Sequence, residues 1–268
     1  MPRLSIIVPH RHDDQRLEST LLGILENRPA DSEIIVVHDG SYADPYQLAD
    51  ELIFVEGEPH ENTLQLINAG VWAACAPIVC TLLDGVSVSG DWADSPLDLL
   101  SDPELAAVSV GTQIAGHTSF GIDPKRLRHT SQLQRGDVEL SRAKTSAAGP
   151  QLTCGFYRRK TLLALGGWDE RLDLQVADVE LAWALRGLEL QNRTDESVRV
   201  EAEPACQRNF NHVSMKQLAE LAVAYGASTG GATAAMSDLL RGCLQGHVSL
   251  AVAWAAGVMG GRATEHVA

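Results

Sequence analysis

The chain has 268 residues, 35 of them acidic and 21 basic, for a formal charge of −14. That length holds one large domain, or a domain with an appendage, with ample core. So acidic a surface argues against nucleic acid and anionic lipid as partners, because both call for clustered Lys and Arg. The five cysteines are odd in number and form no Cys-x-x-Cys pair. This pattern predicts a reduced, cytoplasmic chain, with Cys75 and Cys80 as small core residues. The apolar run after Met1 is shorter than a secretory signal requires. The apolar stretch 248–259 is too short to span a bilayer. It leaves burial in the core or a peripheral membrane contact.

Strand and helix patterns alternate through the first half. Residues 4–8 form an apolar strand closed by Pro9. Residues 13–27 carry Leu17, Leu21, Leu22 and Leu25 at helical spacing, with Asp13 or Asp14 as the cap. Strands follow at 33–37, 52–55, 78–83 and 106–110, and helices at 45–51, 62–75 and 95–100. This rhythm predicts an α/β fold, with a parallel or mixed sheet covered on both faces. From 111 to 149 the chain is polar and irregular, with Arg126, Arg128, Arg135 and Arg142. Such a segment is either a binding loop or a solvated one. Order returns at 152–157, with helices at 160–165 and 179–186 and a strand at 197–202. The remainder is Ala- and Leu-rich. The division expected is a domain over 1–212 and a helical extension, 213–268, packed on it.

Two strand-like runs end in Asp-Gly: Ile34-Ile35-Val36-Val37-His38-Asp39-Gly40-Ser41 and Ile78-Val79-Cys80-Thr81-Leu82-Leu83-Asp84-Gly85. In open α/β sheets, ligands bind outside the carboxyl ends of the strands. Asp39 and Asp84 therefore stand where a ligand would sit. Two carboxylates at one edge repel each other unless a cation or a hydroxyl-rich ligand uses them. The alternative for Asp39 is a turn former, since Asp-Gly is a common turn pair. No Gly-x-Gly-x-x-Gly follows a strand, and Walker A and Gly-x-Ser-x-Gly sequences are absent.

An ordered set of segments resembles the family 2 glycosyltransferases over roughly residues 3–215. The segments are Leu4-Ser5-Ile6-Ile7-Val8-Pro9, the Asp39-Gly40-Ser41 turn with its strand, Asn68-Ala69-Gly70, and Leu82-Leu83-Asp84-Gly85-Val86 in the place of Asp-x-Asp. Two more are Gly166-Gly167-Trp168-Asp169-Glu170-Arg171-Leu172 and Ala177-Asp178-Val179-Glu180-Leu181. The resemblance implies a GT-A fold: a mixed sheet flanked by helices, here with a helical C-terminal tail. It implies a nucleotide-diphospho-sugar donor, an unassigned glycan, lipid or protein acceptor, and transfer with inversion.

By the same resemblance, Pro9, His10 and Asp39 meet the donor's base, where His10 or Arg11 would stack or hydrogen-bond. Asp84 meets the ribose and a divalent cation, Mn²⁺ or Mg²⁺, with His212 as a further metal ligand. Asp178 is the general base. Two positions depart from the pattern, Val86 and Ala177, where the family carries acids. Asp91 and Asp94 would have to replace Val86, if their loop folds back. The departures support a second reading: a glycosyltransferase-like protein that binds nucleotide or sugar, or serves as an interaction module, without transfer. A nucleotidyltransferase is disfavoured, because Pro9-His10-Arg11-His12-Asp13 is not a Gly-rich phosphate loop.

Overall fold

The computed structural model describes residues 1–121, 149–207 and 212–224. All seven residues of β1 (Leu4–His10) are buried, so this strand needs cover on both faces. It pairs in parallel with β2 (Ser32–His38) on one side and β4 (Ile78–Leu82) on the other. β3 (Ile53–Glu56) lies outside β2. Past β4 the sheet turns mixed. β8 (Cys154–Arg158) runs antiparallel to β4 and to β6 (Leu105–Ile114). β9 (Gln191–Ala202) is parallel to β6 and antiparallel to the short β5 (Val86–Ser87). The order is β3-β2-β1-β4-β8-β6-β9-β5, with β7 (His117–Ser119) folded back on β6.

Alternate strand residues point to opposite faces, and they build two cores. Ile6, Val8, Ile34 and Val36 pack with Leu17, Leu21 and Ile24 of α1 (Asp14–Glu26). Ile7, Ile35 and Val37 pack with Leu64 and Ile67 of α2 (Thr63–Ala73). The first core also takes Leu97 of α3 (Asp94–Leu99). The second takes Leu162 of α4 (Arg159–Leu165) and Leu181 of α5 (Leu174–Gly187). Caps set the helix starts: Asp13 accepts from Arg16 N–H, and Asn62 accepts from the Leu64 and Gln65 N–H groups.

α2 meets the sheet through Gly70. A Cβ there would collide with Ile7 Cγ2 and stand 3.0 Å from Val37 Cγ2. Gly70→Ala is expected to cost about 1–2 kcal/mol, because overpacking of a rigid core outweighs the gain in helix propensity. A chemical denaturation midpoint that rises instead would show that the helix shifts freely.

Several expectations change. β1 runs through Pro9 to His10, in register with Val37 and His38 of β2 after the ladder to β4 has ended at Ile7–Thr81. The irregular stretch from 111 begins as a hairpin, turning at Ala115 and Gly116, both with positive φ. Residues 122–148 lie outside the described residues. α5 starts at Leu174 rather than 179, because Asp173 caps it by accepting from Gln175 N–H. Cys75 is exposed, whereas Cys80 is buried, and the four described cysteines are free.

The helix α6 (His212–Ala224) packs on the domain through buried Leu218 and Ala219. Its Gln217 accepts from Asp173 N–H at 2.8 Å and donates to the Arg171 carbonyl at 3.1 Å. The rest of the expected tail, with the 248–259 stretch, lies outside the described residues. Among the described residues, no helix is long and apolar enough to cross a membrane.

Candidate functional site

The chain builds β1, β2 and β3 in one direction and then places β4 on the other side of β1. That reversal opens a crevice at the carboxyl ends of the central strands. Three predicted residues stand there: His10 ends β1, Asp39 follows β2 and Asp84 follows β4 by two residues.

Asp39 is 7 % exposed. Gly40, at φ +84°, turns the chain directly after it. Asp39 Oδ1 accepts from the Ser41 hydroxyl at 2.6 Å and from Ser41 N–H at 3.2 Å. Arg11 Nε lies 3.8 Å from Oδ2. Burial pushes this carboxyl up, but the Ser41 bonds and the His12 and Arg11 charges outweigh it, so it titrates below its usual value. Asp39 is an ionised acceptor.

Asp84 is held by its neighbours. Gly85 takes φ +83° and donates its N–H to Thr20 Oγ1 at 2.9 Å. Arg16, in the first turn of α1, donates from Nη2 to the Asp84 carbonyl at 2.7 Å and lies 3.5 Å from Oδ1. Its Nε reaches Glu203 Oε2 at 3.2 Å. Cys206 Sγ accepts from Arg16 Nη2 at 3.2 Å and faces the Asp84 carbonyl at 3.5 Å. A Cβ at position 85 would lie 2.6 Å from Arg16 Nη2, so glycine makes room for the guanidinium.

His10 is 1 % exposed. Its Nε2 lies 2.9 Å from Asp14 Oδ1 and its Nδ1 3.6 Å from Asp84 Oδ2. Burial lowers its pKa, but Asp84 and Asp14 outweigh burial and raise it above the ordinary value. The ring packs edge-on to Tyr42 at 5.7 Å. It is a buried link between two carboxylates.

The residues at Asp84 do not fit a divalent cation. Val86, at the second acidic position, is 0 % exposed in β5 and pairs with Ala202. Asp91 and Asp94 line a different cleft with Asn27 and Arg28, beyond the far end of α1. α1 is about 20 Å long at 1.5 Å per residue, so neither aspartate reaches Asp84. Among the described residues, no group of three or more His, Cys, Asp or Glu could hold a metal ion. Arg16 stands 3.5 Å from Asp84 Oδ1 and 3.2 Å from Glu203 Oε2, so both carboxylates here already face a guanidinium. His212 is the first residue of α6, and its side chain lies outside the described residues.

Asp178 sits in the second turn of α5, not at its start, and is 1 % exposed. Its Oδ2 accepts from Leu152 N–H at 3.3 Å. The next residue, Thr153, accepts from Leu83 N–H at 3.2 Å. The stretch 152–153 thus ties Asp178 to the strand end that carries Asp84. Ala177 is 0 % exposed in the second core, where an acid would lack water. A cleft of ≈ 210 Å³ joins Pro9, Arg11, Arg16, Leu83 and Asp84.

No protein-family model and no curated protein matches the sequence. Solved structures do. The mannosyltransferase PcManGT from Pyrobaculum calidifontis, in complex with GDP-Man and Mn²⁺, aligns with all of this chain and 81 % of its own, at 17 % identity and TM-score 0.58. GalNAc-T7, solved with UDP, GalNAc and Mn²⁺, aligns with 83 % of this chain but only 48 % of its own, at 14 % identity and TM-score 0.61. The fold is GT-A.

On this GT-A sheet, Asp39 and Asp84 follow strands on either side of β1, and Asp84 lines the cleft with Pro9, Arg11 and Arg16. Arg16, Glu203 and Cys206 join them without any motif to announce them. For Arg16 the only local trace is its place in the first turn of an amphipathic helix, three residues after the Asp13 cap.

Proposed function

We propose that the chain binds a nucleotide-diphospho-sugar in this crevice and transfers the sugar, with inversion, to an acceptor hydroxyl. The observation that carries the reading is the placement of Asp39 and Asp84 at the carboxyl ends of β2 and β4, with only β1 between them. Two strand spacings put them roughly 10 Å apart. That span suits a nucleoside at one end and its diphosphate at the other. Asp39 accepts from the nucleoside, because an ionised carboxylate makes strong bonds to N–H and O–H donors. Asp84 accepts from a ribose hydroxyl. Pro9 lines the cleft with Asp84.

Asp178 is proposed as the general base, taking the acceptor hydroxyl's proton as its oxygen attacks the anomeric carbon. At 1 % exposure, the proposal requires the cover over this carboxylate to move when the acceptor binds. Asp178→Asn keeps an oxygen for Leu152 N–H but has no basic carboxylate. It is expected to lower kcat about 100-fold or more, with donor affinity unchanged. Turnover within about threefold of the parent would assign Asp178 to holding the 152–153 backbone alone.

A second reading, nucleotide binding without transfer, is favoured by Val86 and Ala177, both buried apolar residues. Calorimetry with UDP and GDP, paired with a transfer and hydrolysis assay over UDP- and GDP-sugars, separates the two. Binding with turnover supports transfer, and binding without turnover supports the second reading. No binding of any nucleotide would sink both.

A further inference from the structure

A nucleoside diphosphate brings negative charge that something must neutralise, and Asp84 lacks the companions to hold a metal ion for the task. Resting on the nucleotide reading above, the geometry points to metal-independent binding of the diphosphate, with Arg16 as its counter-charge. Arg16 and Arg11 both line the cleft that contains Asp84. Arg16 is 23 % exposed, so it is open to a ligand while fixed from behind. The Asp84 carbonyl at 2.7 Å, Cys206 Sγ at 3.2 Å and Glu203 Oε2 at 3.2 Å determine where its planar fork stands. A guanidinium already ordered in this way loses little freedom when its remaining N–H groups meet phosphate oxygens.

Arg16 stands 3.5 Å from Asp84 Oδ1 and occupies the surroundings a cation would need. It lies over Gly85, where a Cβ would meet it at 2.6 Å, so the absence of a side chain there lets it stand this close to Asp84. Arg11 adds a second positive charge from the loop after β1 and reaches towards Asp39. Asp84 then serves to position Arg16 and the ribose rather than to hold a metal.

The test is calorimetric titration of UDP and GDP into the full chain, in EDTA and again in Mn²⁺. Affinity is expected to agree within about threefold between the two buffers. Arg16→Gln is expected to weaken the diphosphates about 10-fold or more, the scale of one charged hydrogen bond, while the affinity for the bare nucleosides uridine and guanosine stays unchanged. Arg16→Lys should recover part of the loss. The nucleoside control detects a misfolded variant, because a collapsed site would lose nucleosides as well. Binding that appears or tightens 10-fold or more only with Mn²⁺ overturns the inference and leaves the nucleotide reading standing. Unchanged diphosphate affinity in Arg16→Gln also overturns it. A chain that binds no nucleotide in either buffer removes the reading beneath it as well.

Discussion

Asp39→Ala is expected to weaken nucleotide binding by about 10- to 100-fold without unfolding the protein. A hydrogen bond to a charged group contributes about 1.5–3 kcal/mol, and removing the carboxylate leaves the nucleoside's donor facing a dry pocket wall. Asp39 is ready for that role in the free protein. Its titration lies below the usual carboxylate range, so it is ionised across the neutral region, and Ser41 fixes its orientation through Oδ1. The turn itself should survive the change. Gly40 still takes its positive φ, and Ser41 Oγ still donates to the Arg11 carbonyl at 3.2 Å. The measurement is UDP and GDP affinity by calorimetry beside a thermal unfolding curve. Affinity equal to the parent's would place the nucleoside elsewhere.

Asn68→Ala is expected to produce the largest loss of stability from one side chain, about 3 kcal/mol. Asn68 is 4 % exposed, in the middle of α2. Its Nδ2 donates to the Trp168 carbonyl and to Glu170 Oε1, both at 2.9 Å, and its Oδ1 accepts from Trp168 N–H at 3.0 Å. Truncation strands the Trp168 N–H and carbonyl in the interior, at roughly 1–3 kcal/mol for each orphan. Trp168 itself is 1 % exposed and packs edge-on to Tyr157 at 5.3 Å. The check is a urea midpoint at unchanged slope. A shift below about 1 kcal/mol would mean that the Gly166–Glu170 turn stands without its tether.

This bond network also shows how far the sequence could be read. Asn68-Ala69-Gly70 and Gly166-Gly167-Trp168-Asp169-Glu170 are recognisable as separate segments. In the fold they are one device, with Gly167 close enough to Asn68 Oδ1 that a Cβ would clash with it. Nothing local to either segment announces the other, because their bonds span about a hundred residues of chain. The role of Gly70 is different in kind. Its reason is the absence of a side chain where α2 meets Ile7 and Val37, a packing fact that no short-range pattern carries.

The candidate site divides in the same way. Asp39 and Asp84 were legible because strand-length apolar runs ending in Asp-Gly are local signals, set by β-propensity and turn chemistry. His10 was legible as a position but not as an environment. A histidine after a strand can stack on a ligand or sit buried, and here Asp14, Asp84 and Tyr42 enclose it. Arg16 was the least legible. It reads as an ordinary polar residue on a helix until the chain brings Asp84, Glu203 and Cys206 around it.

The GT-A sheet was expected through the family resemblance, while the residues read along the chain set the alternating elements and the two carboxylates that follow β2 and β4. These follow from periodicity, caps and turns, which act over a few residues. Only the tertiary structure decided what faces those carboxylates. The antiparallel entry of β8, the pairing of Val86 with Ala202 of β9 and the approach of Arg16 to Asp84 are long-range pairings. Burial and Coulomb interactions fix them, and both depend on which distant residues the fold brings within a few ångströms.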